Sequence, residues 1–235
     1  LVLWRLFLFL TVTTYPVFDP SQVPITSIDT HLPKVSEAAL LPDTLRQRFF
    51  SPPQWLPEMV SESRFSDKEP TAASVLIPLV MRDQLMVLLT QRAAHLSSHS
   101  GQIAFPGGKA DATDTDAAHT ALREAEEEIG LQSAQIEVIG ALPTYTTGSA
   151  YVVTPVVGLV NPSARLAMNA NEVADVFEVP LRFLMDPANH RHHTFDWAGA
   201  KRHWLSMPYQ EVAQERFIWG ATAGMLRNLY RFLLT

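Results

Sequence analysis

The chain has 235 residues, 47% of them hydrophobic, enough for one full-sized core and too little for two independent domains to be expected. A formal charge of −6 offers no basic face for nucleic acid or an anionic membrane, and zero cysteines exclude a disulfide framework and thiolate zinc sites. The expected setting is therefore a reducing cytoplasm, with neither a nucleic-acid nor a membrane partner.

The opening stretch, LVLWRLFLFL, is apolar apart from Arg5 and too short for a bilayer helix of about 20 residues. Its start is not basic, and Thr13, Thr14 and Tyr15 make a poor cleavage site, so it does not read as a secretory signal. Residues 15–57 are proline-rich and aperiodic, except for a short helix expected around Leu45, Arg46 and Phe49. Arg46 and Arg48 read as solvent-facing cations on that helix. Residues 1–70 are taken as an N-terminal arm and 71–235 as one domain ending in a helix.

Alternating, β-branched residues at 73–80 and 85–90 predict a hairpin. A loop over 91–102 leads to a short strand at 103–105 and then to Pro106, Gly107 and Gly108, a corner where backbone can approach a metal or a phosphate. The stretch KADATDTDAAHTALREAEEEIGL follows, predicting a helix from near Asp114 or Thr115 to a left-handed cap at Gly130. At about 100° per residue, Ala118, Leu122, Ala125 and Ile129 form an apolar arc for the core. Glu124, Glu127 and Glu128 gather on another arc, where their carboxylates repel one another. Such oxygen donors suit a hard divalent cation, so Mg²⁺ or Mn²⁺ is the expected metal and these three glutamates its ligands. Arg123 is placed to orient them through charge-assisted hydrogen bonds.

Strands are expected at 135–142 and 151–160, with a polar loop at 144–149 bordering a cleft. Glu172 falls in a loop before an apolar strand, and residues 181–185 make a helical turn or two. The histidines at 190, 192 and 193 read as a solvated loop ahead of a strand at 191–197, which pairs with 201–205. A closing helix at 217–234 bears Trp219, Met225, Leu226, Leu229, Tyr230 and Leu233, a stripe for the core or a homodimer contact.

The run Arg123, Glu124, Ala125, Glu126, Glu127, Glu128, Ile129, Gly130, Leu131 resembles, without a gap, the second half of the box of the Nudix hydrolases. The first half departs from it: Asp114 stands six residues after Gly108 where the box has glutamate, and Arg123 arrives one residue late. That insertion, with the run from Thr120 to Glu124, is similar to the coenzyme A diphosphatase branch. A second motif, LLTQRAAHLSSHSGQIAFPGG, resembles the same branch at Leu88, Leu89, Thr90, Arg92, Ala93, Gly101, Phe105, Pro106, Gly107 and Gly108. Ser97 replaces the branch's second arginine, a charge that His95, His99 or Lys109 could supply.

The resemblance implies a Nudix-type α/β/α sandwich with a mixed β-sheet. It implies metal-dependent hydrolysis of coenzyme A or acyl-coenzyme A to 4′-phosphopantetheine and adenosine 3′,5′-bisphosphate. The alternative is another nucleoside diphosphate derivative, such as ADP-ribose or a dinucleotide cofactor, and a third reading is a non-catalytic nucleotide-binding module. It further implies a backbone metal ligand at Gly108, an additional acidic ligand at Glu172, and substrate contacts at Arg92, His99, Gly107, Gly108 and Lys109.

Overall fold

The computed structural model describes residues 19–64, 69–96, 100–197 and 200–235. Its elements run β1 (Ile25–Ile28), α1 (Pro42–Phe50), β2 (Thr71–Met81), β3 (Leu85–Arg92), β4 (Ile103–Ala104), β5 (Gly107–Lys109), α2 (Ala117–Ile129), β6 (Ile136–Ala141), β7 (Tyr145–Thr146), β8 (Tyr151–Val160), β9 (Val173–Pro180), α3 (Leu181–Leu184), β10 (Arg191–Trp197), β11 (Ala200–Gln210), β12 (Glu215–Trp219) and α4 (Gly220–Leu234).

The larger sheet has the order β4-β3-β2-β8-β6, with β5 added to β2, β7 to β8 and β9 to β3. At its centre β2 and β8 pair in parallel, from Thr71 opposite Tyr151 to Val80 opposite Val160, while the neighbouring pairings are antiparallel. Both central strands are apolar on two faces, as strands covered on both sides must be. Leu76, Val80, Val156 and Val160 pack with Ala121, Ala125 and Ile129 of α2. Ile77, Leu79, Val157 and Leu159 face the opposite core, with Leu226, Leu229 and Leu233 of α4. The result is an α/β/α sandwich with a mixed sheet, as expected.

A second, four-stranded antiparallel sheet, β1-β10-β11-β12, was not anticipated as a separate layer. Segments before β2 build into both layers: β1 pairs with β10, and Val35, Leu40 and Leu45 belong to the same buried cluster as α4. The expected short helix is α1, but Arg46 is not a free surface cation, since its guanidinium meets Glu137 at 2.8 Å and Asp43 at 2.6 Å.

Two expectations need correction. Residues 217–219 are strand rather than helix, with Ile218 opposite Met207, and α4 starts only at Gly220, whose φ of +61° breaks the strand geometry. The histidines 190, 192 and 193 do not form a solvated loop. His190 and His193 are buried, and His190 Nε2 lies 2.7 Å from the Leu184 carbonyl while its Nδ1 meets Arg227 at 2.9 Å. His193 bonds the Ser206 hydroxyl at 2.8 Å, and His192 meets Asp29 at 2.8 Å. Arg227, itself buried, joins Asp29 and Glu58 at 2.9 Å each, so this cluster ties the early segments to α4. Among the described residues no helix is long and apolar enough to cross a membrane.

Candidate active site

Helix α2 begins two residues later than a cap at Asp114 would place it. The cap is Asp116, whose carboxylate accepts the His119 N–H at 2.8 Å. Gly130 ends the helix at φ +67°, its N–H donating to Glu126, and the Leu131 N–H returns to the Ala125 carbonyl. The buried face is Thr120, Ala121, Ala125, Glu128 and Ile129, with Ala118 and Leu122 packed at its margin. The wheel drawn from the sequence is thus rotated slightly, and a glutamate lies within the packed face.

Asp114 is taken up by Arg123. The two make a paired contact, Nε to Oδ1 and Nη2 to Oδ2 at 3.0 Å each, and Asp114 also accepts from the Thr120 hydroxyl at 2.9 Å and the Asp111 N–H at 2.8 Å. Its carboxyl is held well below the usual range, chiefly by Arg123. Arg123 Nη1 reaches Glu124 and Glu127 at 3.0 Å each, and Nη2 donates to the Lys109 carbonyl at 3.1 Å. One guanidinium therefore joins the turn before α2, two of its glutamates and β5. The sequence assigns Asp114 no such role; the available signal was an acid in the turn ahead of a helix that carries an arginine with five guanidinium donors to satisfy.

The three glutamates sit in different surroundings. Glu127 is on the outside, its side chain 58% exposed. Glu124 is half-buried, and burial together with Glu127 and Glu172 raises its carboxyl against the pull of Arg123. Glu128 is only 5% exposed at its side chain, and burial pushes it up to about 7; it accepts the Gly107 N–H at 3.2 Å and faces Arg92 at 3.7 Å. Glu124 and Glu172 push Glu128 in the same upward direction as burial, so these three carboxylates share one neighbourhood. Among the described residues no three acidic or imidazole side chains enclose a point at metal-ligand distances, and Arg123 holds Glu124 and Glu127.

The glycine corner explains how backbone comes so close. A Cβ on Gly107 would fall 2.5 Å from the Ser74 carbonyl, and one on Gly108 would fall 2.5 Å from both carboxylate oxygens of Glu124. Arg92 stands at the end of β3, where a bulge separates it from Gln91, and its buried Nε has no hydrogen-bond partner among the described residues. Glu172 lies in the loop before β9 as anticipated, steadied by Asn169 at 2.9 Å, and the Asn169 N–H donates to the Glu128 carbonyl. Lys109 is exposed, its Nζ 5.9 Å from the centre of the Tyr151 ring. Ser97 and His99 lie outside the described residues.

Glu124, Glu128, Glu172 and the Gly108 backbone would offer a cation only oxygen, and burial raises the carboxyls of Glu124 and Glu128. Both features fit a hard divalent cation better than a softer metal. Carboxylates collected against a glycine turn on the central strand β2 fit one class, a hydrolase whose anionic phosphate ester or anhydride such a site would meet through a cation.

The NUDIX domain family matches residues 70–216. The NudL protein of Escherichia coli K12, described as an uncharacterized Nudix hydrolase, is 45% identical over 160 residues, covering 67% of this chain and 80% of its own. NudL of Escherichia fergusonii gives the same values. Among solved structures, the Ap4A hydrolase of C. elegans in a binary complex aligns with a TM-score of 0.41 at 20% identity, over 50% of this chain and 85% of its own. The chain belongs to the Nudix family, and it is an enzyme, a hydrolase of phosphoric anhydride bonds.

Proposed function

We propose that this enzyme cleaves the diphosphate of coenzyme A or an acyl-coenzyme A, releasing 4′-phosphopantetheine and adenosine 3′,5′-bisphosphate. The observation that carries the reading is that both coenzyme A-type motifs meet at one carboxylate: Arg92 and Gly107, both of the motif at 88–108, face Glu128 of the motif on α2, Arg92 at 3.7 Å and the Gly107 N–H donating at 3.2 Å. Glu124, Glu127 and Glu128, with the Gly108 carbonyl and Glu172, are the proposed ligands of Mg²⁺ or Mn²⁺. A cation held there would supply neutralisation of charge on the phosphoryl oxygens and a lowered pKa for the water that loses a proton and attacks phosphorus.

The protein's part in this is positioning. Asp114 fixes Arg123, Arg123 aims Glu124 and Glu127, and the glycine corner lets backbone and substrate approach Glu124 closely. Arg92, His99, Gly107, Gly108 and Lys109 are the proposed substrate contacts. The proposed organisation is an arm at 1–70 and a catalytic domain at 71–235, in the cytoplasm and with a small nucleotide derivative as partner.

Ser97 favours a second reading, hydrolysis of a different nucleoside diphosphate derivative such as ADP-ribose, because the charge that the coenzyme A branch keeps there is missing. Product analysis with coenzyme A, ADP-ribose and a dinucleotide cofactor, each with Mg²⁺, Mn²⁺ or chelator, separates the two. Metal-dependent release of 4′-phosphopantetheine is the expected result; turnover of ADP-ribose alone would replace the first reading by the second.

A further inference from the structure

Glu62 lies far from α2 in sequence, in a segment to which the proposed chemistry assigns nothing. Its Oε2 accepts the Gly148 N–H at 2.9 Å and its Oε1 the Tyr145 hydroxyl at 3.3 Å. Its own N–H donates to the Thr146 carbonyl at 2.9 Å, and the Thr146 N–H returns to Val60 at 2.9 Å. The segment is anchored behind this point as well. The Asn228 side chain bonds both the N–H and the carbonyl of Met59, at 3.0 and 2.6 Å, and Arg227 holds Glu58. The carboxylate of Glu62 is thus delivered to a fixed place against β7.

What it holds there is a strained turn. Ala150 has φ +69°, uncommon for a residue other than glycine, and is almost fully buried. The Ala150 N–H donates to Thr147 at 3.0 Å, the Thr147 N–H to the Tyr151 carbonyl at 2.8 Å, and the Tyr151 N–H to the Thr147 hydroxyl at 3.0 Å. Tyr151 follows immediately, its ring under the Lys109 ammonium at 5.9 Å, and the Lys109 carbonyl accepts from Arg123. A continuous set of contacts leads from Glu62 through this turn to the arginine that aims the acidic helix.

We propose that Glu62 is a positioning residue: by holding the Thr147 to Ala150 turn it sets the place of Tyr151 and of the Lys109 ammonium over it, which meets a phosphate of the substrate. The Lys109 ammonium lies over the half-buried Tyr151 ring, 5.9 Å from its centre, and the exposed Lys109 offers its positive charge to a phosphate. The inference rests on the reading that α2 carries the diphosphatase site.

Glu62→Ala, Glu62→Gln and Tyr145→Phe are compared by steady-state kinetics on whichever diphosphate the wild type hydrolyses, and by hydrogen exchange of peptides spanning 144–152. Glu62→Ala is expected to raise KM about tenfold, the loss typical of one charge-assisted hydrogen bond, with kcat within about twofold. Glu62→Gln keeps an acceptor for Gly148 and should recover most of the KM, and Tyr145→Phe should fall between them. Faster exchange over the turn should accompany each rise in KM. Unchanged KM and exchange in Glu62→Ala would overturn the proposal, as would a loss of kcat alone. If the wild type hydrolyses no diphosphate, the functional reading fails; unchanged exchange would then overturn the role of Glu62 separately, and faster exchange would uphold its hold on the turn.

Discussion

Glu128→Gln is predicted to make the metal-free protein more stable while removing its activity. Glu128 is raised from the ordinary 4.5 to about 7, first by burial and then by Glu124 and Glu172. The folded state therefore keeps a proton that the unfolded chain has already released between pH 4.5 and 7, so stability falls as pH rises through that window. Integrated, this is about 3 kcal/mol lost by pH 8. Glutamine fills the same space without a charge and still offers an oxygen to the Gly107 N–H, but it turns an amide toward Arg92, which costs about 1 kcal/mol. The expected net gain is about 2 kcal/mol at pH 8 in chelator, shrinking to nothing or reversing at pH 5. Urea midpoints at the two pH values measure it. Added Mg²⁺ should stabilise the wild type by mass action but not the variant, and metal-dependent turnover should drop about 100-fold or more. A variant less stable than the wild type by the same amount at both pH values would refute the claim that Glu128 is a buried, charge-starved carboxylate. Full activity would remove Glu128 from the site.

Gly108→Ala places a methyl group 2.5 Å from both Glu124 oxygens, so that carboxylate must move; kcat should fall about 100-fold with the fold intact by circular dichroism. Wild-type turnover in that variant would show that the close approach is not needed. Asp114→Ala leaves Arg123 without its paired carboxylate, and a loss of about tenfold to 100-fold in kcat, with weaker Mn²⁺ binding by calorimetry, is expected. His190 is held down at about 4, mainly by burial, while the unfolded chain takes up its proton near 6.5. Stability is therefore full above pH 6.5 and is lost as pH falls toward 4, by about 3 kcal/mol, a component that urea titrations should find missing in His190→Gln.

Where the sequence predicted well, one local rule sufficed. The end of α2 at Gly130, the strand character of β2 and β8, and Glu172 just ahead of β9 each follow from residues within a few positions of one another. The failures lie where distant partners decide. The Phe217, Ile218, Trp219 run continues the apolar stripe of α4, and periodicity over three residues cannot separate a strand edge from a helix; pairing with β11 does. The histidines look solvated until Asp29, Ser206 and Arg227 are brought to them from other elements. Three aspartates in DATDTD each satisfy the capping rule equally, and only the position of Arg123 reserves Asp114 for another use and leaves the cap to Asp116.

The same competition between local rule and remote partner explains why Glu128, expected on an arc apart from the apolar one, packs within the core-facing side of α2. A helix that had only to cover the sheet would carry an apolar residue there, next to Ala121 and Ala125. Burying a carboxylate instead costs free energy in the metal-free protein, and the surrounding contacts offset little of it: one backbone N–H at 3.2 Å and an arginine at 3.7 Å. A position so costly for the fold, set where the glycine corner and Arg92 converge, is intelligible when a cation completes it, which is why stability and activity at Glu128 should move in opposite directions.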